Sequence, residues 1–315
     1  MLNPLDHPIC YTIPRRLTPA SQWHEHIPFA MLLVDLLRPN TIVELGTHYG
    51  DSYCAFCQAV KDLETHTQCY AVDTWQGDAH SGFYGPDVLA DLRAHHDPFY
   101  SSFSCLIQAD FNDALSHFKE GEIDVLHIDG YHTYEAVRHT FESWRPKVSS
   151  RGVILFHDTN VREEDFGVDK LWETLKKQHP RRYLEFSHGH GLGVLAVGEP
   201  QSSEFQRMLD ATDDEMSRIQ DFFFQLGYRL TLTKQIMEQR VEQAHIAEER
   251  HVEQAHVAAL SAQVAEKDQG IAALQSQGAA LSAQVAEKGQ EVAVLSAHVA
   301  AREQTLQALL SRERR

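Results

Sequence analysis

The chain has 315 residues, room for one large domain with an appendage or for two modest ones. Hydrophobic residues at 43% and charged residues at 23% are ordinary for a globular protein and exclude a wholly disordered or collagen-like chain. Acidic residues outnumber basic ones 45 to 28, a formal net charge of −17. That excess opposes nucleic acid or an anionic membrane surface as partner, since both are captured through Lys and Arg.

Residues 1–10 carry two prolines and an acid, without the basic start and apolar run of a leader. The longest apolar stretch, 29–37, is broken by Asp35 and is shorter than the about 20 residues that cross a bilayer, so no membrane span is expected. Five scattered cysteines suit reduced thiols in a cytoplasmic protein. Cys54 and Cys57 have no second pair to complete a zinc site and read as core packing.

In chain order, residues 1–40 form a lead-in whose helix, 28–37, packs on the sheet. Strand-like runs then end at Leu45, Asp73, Gln108, Ile128 and His157, and a final pair covers 183–186 and 193–197. Helical stretches fill the gaps at about 51–61, 86–96, 111–118, 134–145 and 166–178. This alternation predicts an α/β domain over 41–200, a doubly wound, mostly parallel seven-stranded sheet closed by an antiparallel hairpin. A connecting helix, 201–228, carries Phe222, Phe223 and Phe224, which dock it on the domain.

From 229 onward the chain has no proline and no aromatic residue. Residues 259–267 recur at 280–288, an offset of 21, or three heptads. Val264, Ile271, Val285, Val292, Val299 and Leu306 then fall at position a, with Leu274, Leu281, Leu295 and Leu309 at d, the seam of a coiled coil. Gly278 at a, and Lys267, Lys288 and Arg302 at d, weaken it. Residues 241–245 recur at 252–256 with an offset of 11, a spacing that straightens a coil or turns it right-handed. Self-association, or tethering to another protein, is the expected role of 229–315; the alternative is a lone, frayed helix.

The first strand and its turn, residues 41–52, carry Glu44, Gly46, Gly50 and Ser52. In a doubly wound sheet this turn lies where ligands bind. A dinucleotide site would show G-x-G-x-x-G here. Instead Glu44, which would repel a pyrophosphate, is suited to a cationic amine, pointing to an amino-acid-like cofactor rather than NAD. Asp73, at the end of strand two, is placed to accept ribose hydroxyls, or else caps a helix. Asp110 and Phe111 either meet an adenine ring or form an N-cap with a buried aromatic behind it.

The E-x-G-x-x-x-G turn, the acid after strand two and the strand rhythm resemble a class I S-adenosylmethionine-dependent methyltransferase with a Rossmann-like fold. The stretch from Val72 through Trp75 to Asp78, the run His127-Ile128-Asp129-Gly130-Tyr131-His132, and Phe156-His157-Asp158 narrow this. Together they resemble a bacterial subfamily related to the metal-dependent O-methyltransferases and the cephalosporin-hydroxylase-like group. The resemblance spans roughly 38–198 and implies that Glu44, Gly46, Gly50, Ser52, Asp73 and Asp110 line the S-adenosyl-L-methionine site.

Asp129 ends the fourth strand and Asp158 the fifth. With strands one, four and five side by side, about 4.8 Å apart, Glu44, Asp129 and Asp158 stand in a row. Asp129 and Asp158 could share a divalent cation such as Mg²⁺, which would lower the pKa of a substrate hydroxyl, and the metal-dependent relatives support that reading. Asn160 could supply a third ligand, whereas His157 is a poor ligand for a magnesium-like ion. His132, three residues past Asp129, is the natural general base. Asp129 and His132 are therefore the catalytic candidates, with His48, His188 and His190 behind them. Asp78, His80, Phe83 and Tyr84 form either a lid or an ordinary polar loop.

The expected activity is O-methylation of a small polyhydroxylated acceptor. A sugar in surface-glycan synthesis is suggested by the genomic company of the subfamily. A hydroxylase-like reaction at the same pocket, or a non-catalytic coiled-coil scaffold, are the alternatives.

Overall fold

The protein is described by a computed structural model covering residues 3–20, 22–78, 82–163, 165–199 and 202–313. Two compact units emerge, Met1–Glu238 and Gln239–Arg315.

In the first unit, α1 (Ile27–Leu37) leads into β1 (Thr41–Leu45), α2 (Asp51–Asp62) and β2 (Gln68–Asp73). A small hairpin, β3 (Gly77–Asp78) and β4 (Gly82–Phe83), precedes α3 (Pro86–Tyr100), β5 (Ser104–Gln108) and α4 (Phe111–Ala114). Then come β6 (Ile123–Ile128), α5 (Tyr134–Trp144), β7 (Val148–His157), α6 (Val168–Gln178), β8 (Tyr183–Phe186) and β9 (Leu192–Ala196). Two helices follow, α7 (Ser203–Leu209) and α8 (Asp213–Glu313).

Among the described residues the main sheet has seven strands in the order β5-β2-β1-β6-β7-β9-β8, parallel from β5 to β7 and antiparallel through β9 and β8. This is the doubly wound, Rossmann-like architecture read from the sequence. The chain order reverses between β1 and β6, and the crevice beyond their carboxyl ends is where this topology places a ligand. Helices cover both faces, so β1 and β6 are buried at every residue. The polar residues within them must therefore find partners. At the lower end of β6, Asp124 accepts from Arg151 Nη2 at 2.6 Å, from Ser149 Oγ at 2.7 Å and from the Asn40 amide at 2.7 Å.

Three helices differ from the sequence reading. The connecting helix expected over 201–228 is broken at 210–212 into α7 and the start of α8. The helix expected to stop at 96 continues to Tyr100 despite Pro98, because Val88, Leu92, His96 and Tyr100 form a buried i, i+4 stripe that holds the last turn down. The helix expected over 111–118 shortens to one α turn and a 3₁₀ turn, Leu115–His117. The β3–β4 hairpin was not foreseen from two-residue strands. No described helix is long and apolar enough to cross a membrane.

The early part of α8 docks on the first unit. Phe223, Leu226 and Leu230 are buried, and the Phe223 ring meets Phe29 at 5.3 Å and Phe186 at 5.7 Å. Burying such a side chain contributes about 1.5–3 kcal/mol, which accounts for the aromatic run holding this part of α8 against α1 and β8. Gly227 allows the close approach: a Cβ there would lie 2.2 Å from the Glu25 carbonyl oxygen. In the second unit α8 is exposed throughout its described side chains, and a Cβ at Gly278 would meet nothing within 4 Å.

The two glycines should thus respond oppositely. Gly227→Ala forces backbone apart and should destabilise the first unit by about 1–3 kcal/mol in denaturant unfolding. Gly278→Ala should raise helicity and stabilise its helix by roughly 1 kcal/mol. Equal, small effects at both would contradict the Gly227 contact.

Candidate active site

The site grows from the ends of β1, β6 and β7. The ladder runs one residue beyond the strands, with the Gly46 amide donating to the Val72 carbonyl and the Asp129 amide to the Leu45 carbonyl, both at 2.9 Å. Gly46 has φ +87°, and a Cβ on it would lie 2.1 Å from the Asp129 carbonyl oxygen. Only glycine fits here, so the turn lies flat against the end of β6. Gly50, at φ +80°, opens α2.

Asp73 holds this turn. Its Oδ2 accepts from the Thr47 and His48 amides at 2.8 Å each, and its Oδ1 accepts from the Trp75 amide at 2.7 Å. A carboxylate expected to meet ribose therefore first anchors backbone, with lone pairs left on Oδ1 for a further donor. Asp110 caps α4, accepting from the Asn112 amide at 2.8 Å and from the Tyr131 hydroxyl at 3.3 Å. The capping alternative describes its present contacts, and Phe111 rather than Asp110 reaches the cavity wall.

A cavity of about 450 Å³ lies over the strand ends, lined by Gln22, Trp23, the 46–52 turn including Ser52, Asp129, His132, His157, Asp158 and His190. A smaller one of about 70 Å³ continues past Asp73, Tyr84, Phe111 and Tyr131. Gly46, His48, Asp129 and His132 belong to both walls. His48 also packs against Tyr84, their rings 4.7 Å apart. Of the expected lid residues, Phe83 is exposed and His80 lies outside the described residues.

Glu44 departs from expectation. It is fully buried and lines neither cavity. Its Oε2 accepts from His127 Nδ1 at 2.8 Å, while His127 Nε2 accepts from Trp23 Nε1–H at 3.1 Å. The indole thus sets the imidazole tautomer, with the ring proton on Nδ1 facing Glu44. Burial raises the Glu44 pKa against the opposing pull of His127. Glu44 is thereby part of a buried lock between the lead-in and the sheet. The motif 127–132 assigns His127 no role by residue type alone. The signal was its alternation with Asp129, which puts both on one face of the strand.

His157 is central. Its Nδ1 faces Asp129 Oδ1 at 3.1 Å and Asp158 Oδ1 at 3.4 Å, and its Nε2–H donates to the Gly189 carbonyl at 3.0 Å. With acceptors at both nitrogens the ring favours the doubly protonated form. Burial opposes that charge, but Asp129 and Asp158 overcome it and raise the pKa well above the usual imidazole value. Reciprocally, despite burial, His157 lowers the pKa of both carboxyls, and that of Asp158 falls far below the ordinary range with His132 also contributing.

His132 Nε2 pairs with Asp158 Oδ2 at 2.9 Å, and its ring stacks on Phe166 at 4.8 Å. Asp158 raises its pKa against the effect of burial. His190 stacks parallel to His157 and approaches Asp158 at 3.3 Å, whereas His188 stacks on His26 at 4.9 Å, behind the cavity wall. Asn160, the suggested third metal ligand, gives its amide to the Ser187 carbonyl and is exposed. His132 instead joins Asp129 and Asp158, one ligand atom from each lying within 4.8 Å of the others.

Residues 43–159, a little over a third of the chain, match the family model described as "Methyltransferase domain". The uncharacterized protein y4gI of Sinorhizobium fredii is 49% identical over 186 residues, 59% of this chain and 20% of that protein. The match therefore spans about a fifth of the length of this curated relative. Among solved structures, the SAH-bound methyltransferase PaMTH1 of Podospora anserina is 16% identical, with 54% of this chain and 77% of that one covered and a TM-score of 0.42. The O-methyltransferase TomG of Streptomyces achromogenes, solved with SAM, is 11% identical, with 58% and 83% covered and a TM-score of 0.43.

His26 yields a pH prediction. It is buried and donates from Nε2 to the Gly189 carbonyl at 2.9 Å, and burial together with His157 and His188 holds its pKa well below the usual value. The unfolded chain binds a proton here below about pH 6.5 and the folded one does not, so this stabilising contribution is lost as pH falls. In urea unfolding, wild type should exceed His26→Gln in stability at pH 7.5, and the gap should narrow by about 1 kcal/mol by pH 5.5. A widening gap would mean that folded His26 is protonated.

Proposed function

We propose that this chain is an S-adenosylmethionine-dependent methyltransferase acting on a hydroxyl oxygen of a small polyhydroxylated acceptor. The observation that carries the reading is the His132–Asp158 pair, 2.9 Å apart, on a wall that also includes the glycine turn. When bound, the cofactor supplies an electrophilic methyl group on sulfonium. Asp73, Phe111, Gly46, Gly50 and Ser52 would hold the cofactor, and Asp73 would contribute an acceptor for ribose. The acidic wall of Asp129 and Asp158 favours a cationic sulfonium.

Asp158 accepts His132 Nε2–H and so makes Nδ1 the basic nitrogen. His132 would take the proton of the acceptor hydroxyl as its oxygen receives the methyl group that the cofactor would supply. Much of the remaining acceleration would come from alignment of acceptor and methyl group in the cavity. Carboxylates and imidazoles on the acceptor side suit hydroxyls better than a flat aromatic ring. A sugar is the preferred acceptor, and the glycan setting rests on the resemblance of the motifs.

A second reading is favoured by the convergence of Asp129, His132 and Asp158. These three would hold a divalent ion, which supplies Lewis acidity toward the acceptor oxygen. Two carboxylates with one imidazole suit Mn²⁺ or Zn²⁺ better than the all-oxygen preference of Mg²⁺. In that case His132 is a ligand and not the base.

Calorimetry with S-adenosylmethionine should show micromolar binding, weakened roughly 10-fold or more by Asp73→Ala, with circular dichroism confirming an intact fold. No binding by the folded protein would sink the methyltransferase reading. In a labelled-methyl assay over a panel of sugars, His132→Gln should lower the rate by about 10²–10⁴ while leaving cofactor affinity within about 3-fold. Activity unchanged by a chelator selects the His132 base, whereas loss restored by Mn²⁺ selects the metal. A product that gains oxygen instead of a methyl group would point to the hydroxylase-like alternative.

A further inference from the structure

We propose that residues 264–309 pair with the same segment of a second copy of this chain, antiparallel and in one register, with Val264 opposite Leu309 of the second copy. In the second unit this segment is a single uninterrupted helix, and its aliphatic a and d residues are exposed, Val285 at 71% and Leu274 at 68%. A stripe of this length at 3.5-residue spacing is the surface that a second helix covers.

The charges decide the direction. In a parallel in-register pair each d residue faces its own copy, so Lys267, Lys288 and Arg302 would form three layers of like charge inside the seam. Reversing one helix puts every a opposite a d. With Val264 opposite Leu309, all fourteen layers of the segment, seven of them distinct under the two-fold, pair an a residue with a d residue. Lys267 then meets Leu306, Lys288 meets Val285 and Arg302 meets Ile271, so each basic stem lies along an aliphatic neighbour and its charge reaches water. Gly278 faces Leu295, the smallest residue opposite a large one.

The flanking positions agree. Asp268 and Glu303 are the charged e residues. In this register Lys267 lies beside Glu303 of the second copy and Arg302 beside Asp268, a cluster of alternating sign near each end of the seam. The complementarity uses this sequence alone, in one isologous two-fold interface, which favours a second copy over an unrelated partner.

The test is disulfide cross-linking of the full chain in a Cys105→Ser background, which removes the exposed native thiol. Val264→Cys and Leu309→Cys proteins, mixed and oxidised, should give a linked dimer, and each alone should give at least 10-fold less. Sedimentation of the unsubstituted chain should show a dimer at micromolar concentration. Efficient cross-linking of Val264→Cys with itself would establish a parallel pair and overturn the proposal, as would a monomer in sedimentation.

Discussion

Glu44, Asp129 and Asp158 project from the ends of three adjacent strands, and each carboxylate is met by an imidazole, from His127, His157 and His132 respectively. Three unmatched acids this close and this buried would repel one another and take up protons. The histidines let Asp129 and Asp158 stay ionised at the cavity wall. Much of the first unit follows from supplying partners to these histidines.

Trp23 is brought over the sheet to bond His127, and the Gly189 carbonyl accepts from both His26 and His157. One polar cluster therefore ties the lead-in, the central strands and the β8–β9 turn together. Thr18 and His24 bonding to Asp51 add a second tie, at the start of α2. The lead-in is thus part of the cavity wall, and Gln22 and Trp23 are placed to shape what the cavity admits. A buried polar network of this kind specifies one arrangement because partial satisfaction is costly.

The second unit follows a different physics. Its helix presents aliphatic residues to solvent along a heptad stripe, with basic residues at d where leucine would stabilise a parallel pair most. Those substitutions weaken the seam and at the same time discriminate among the ways it could close.

By itself the sequence determined the alternation of strands and helices, the strand ends, the glycine turn and the heptads, because each is written in short-range periodicity or in a residue that a local conformation demands. Gly46 shows this, since its left-handed turn and its contact with the Asp129 carbonyl leave no room for another residue. Tertiary structure decided which polar groups face one another. Glu44 is bonded to His127, which lies opposite it in register on the neighbouring strand. Asp110 was equally readable as a cap or as a contact to adenine, and its capping bond became visible only once α4 was placed. His157, a poor ligand for a magnesium-like ion, lies between two carboxylates and a carbonyl from a turn 32 residues away in sequence. Partners so far apart along the chain leave no periodic trace, and only the packing of three strand ends and the lead-in brings them within hydrogen-bond reach.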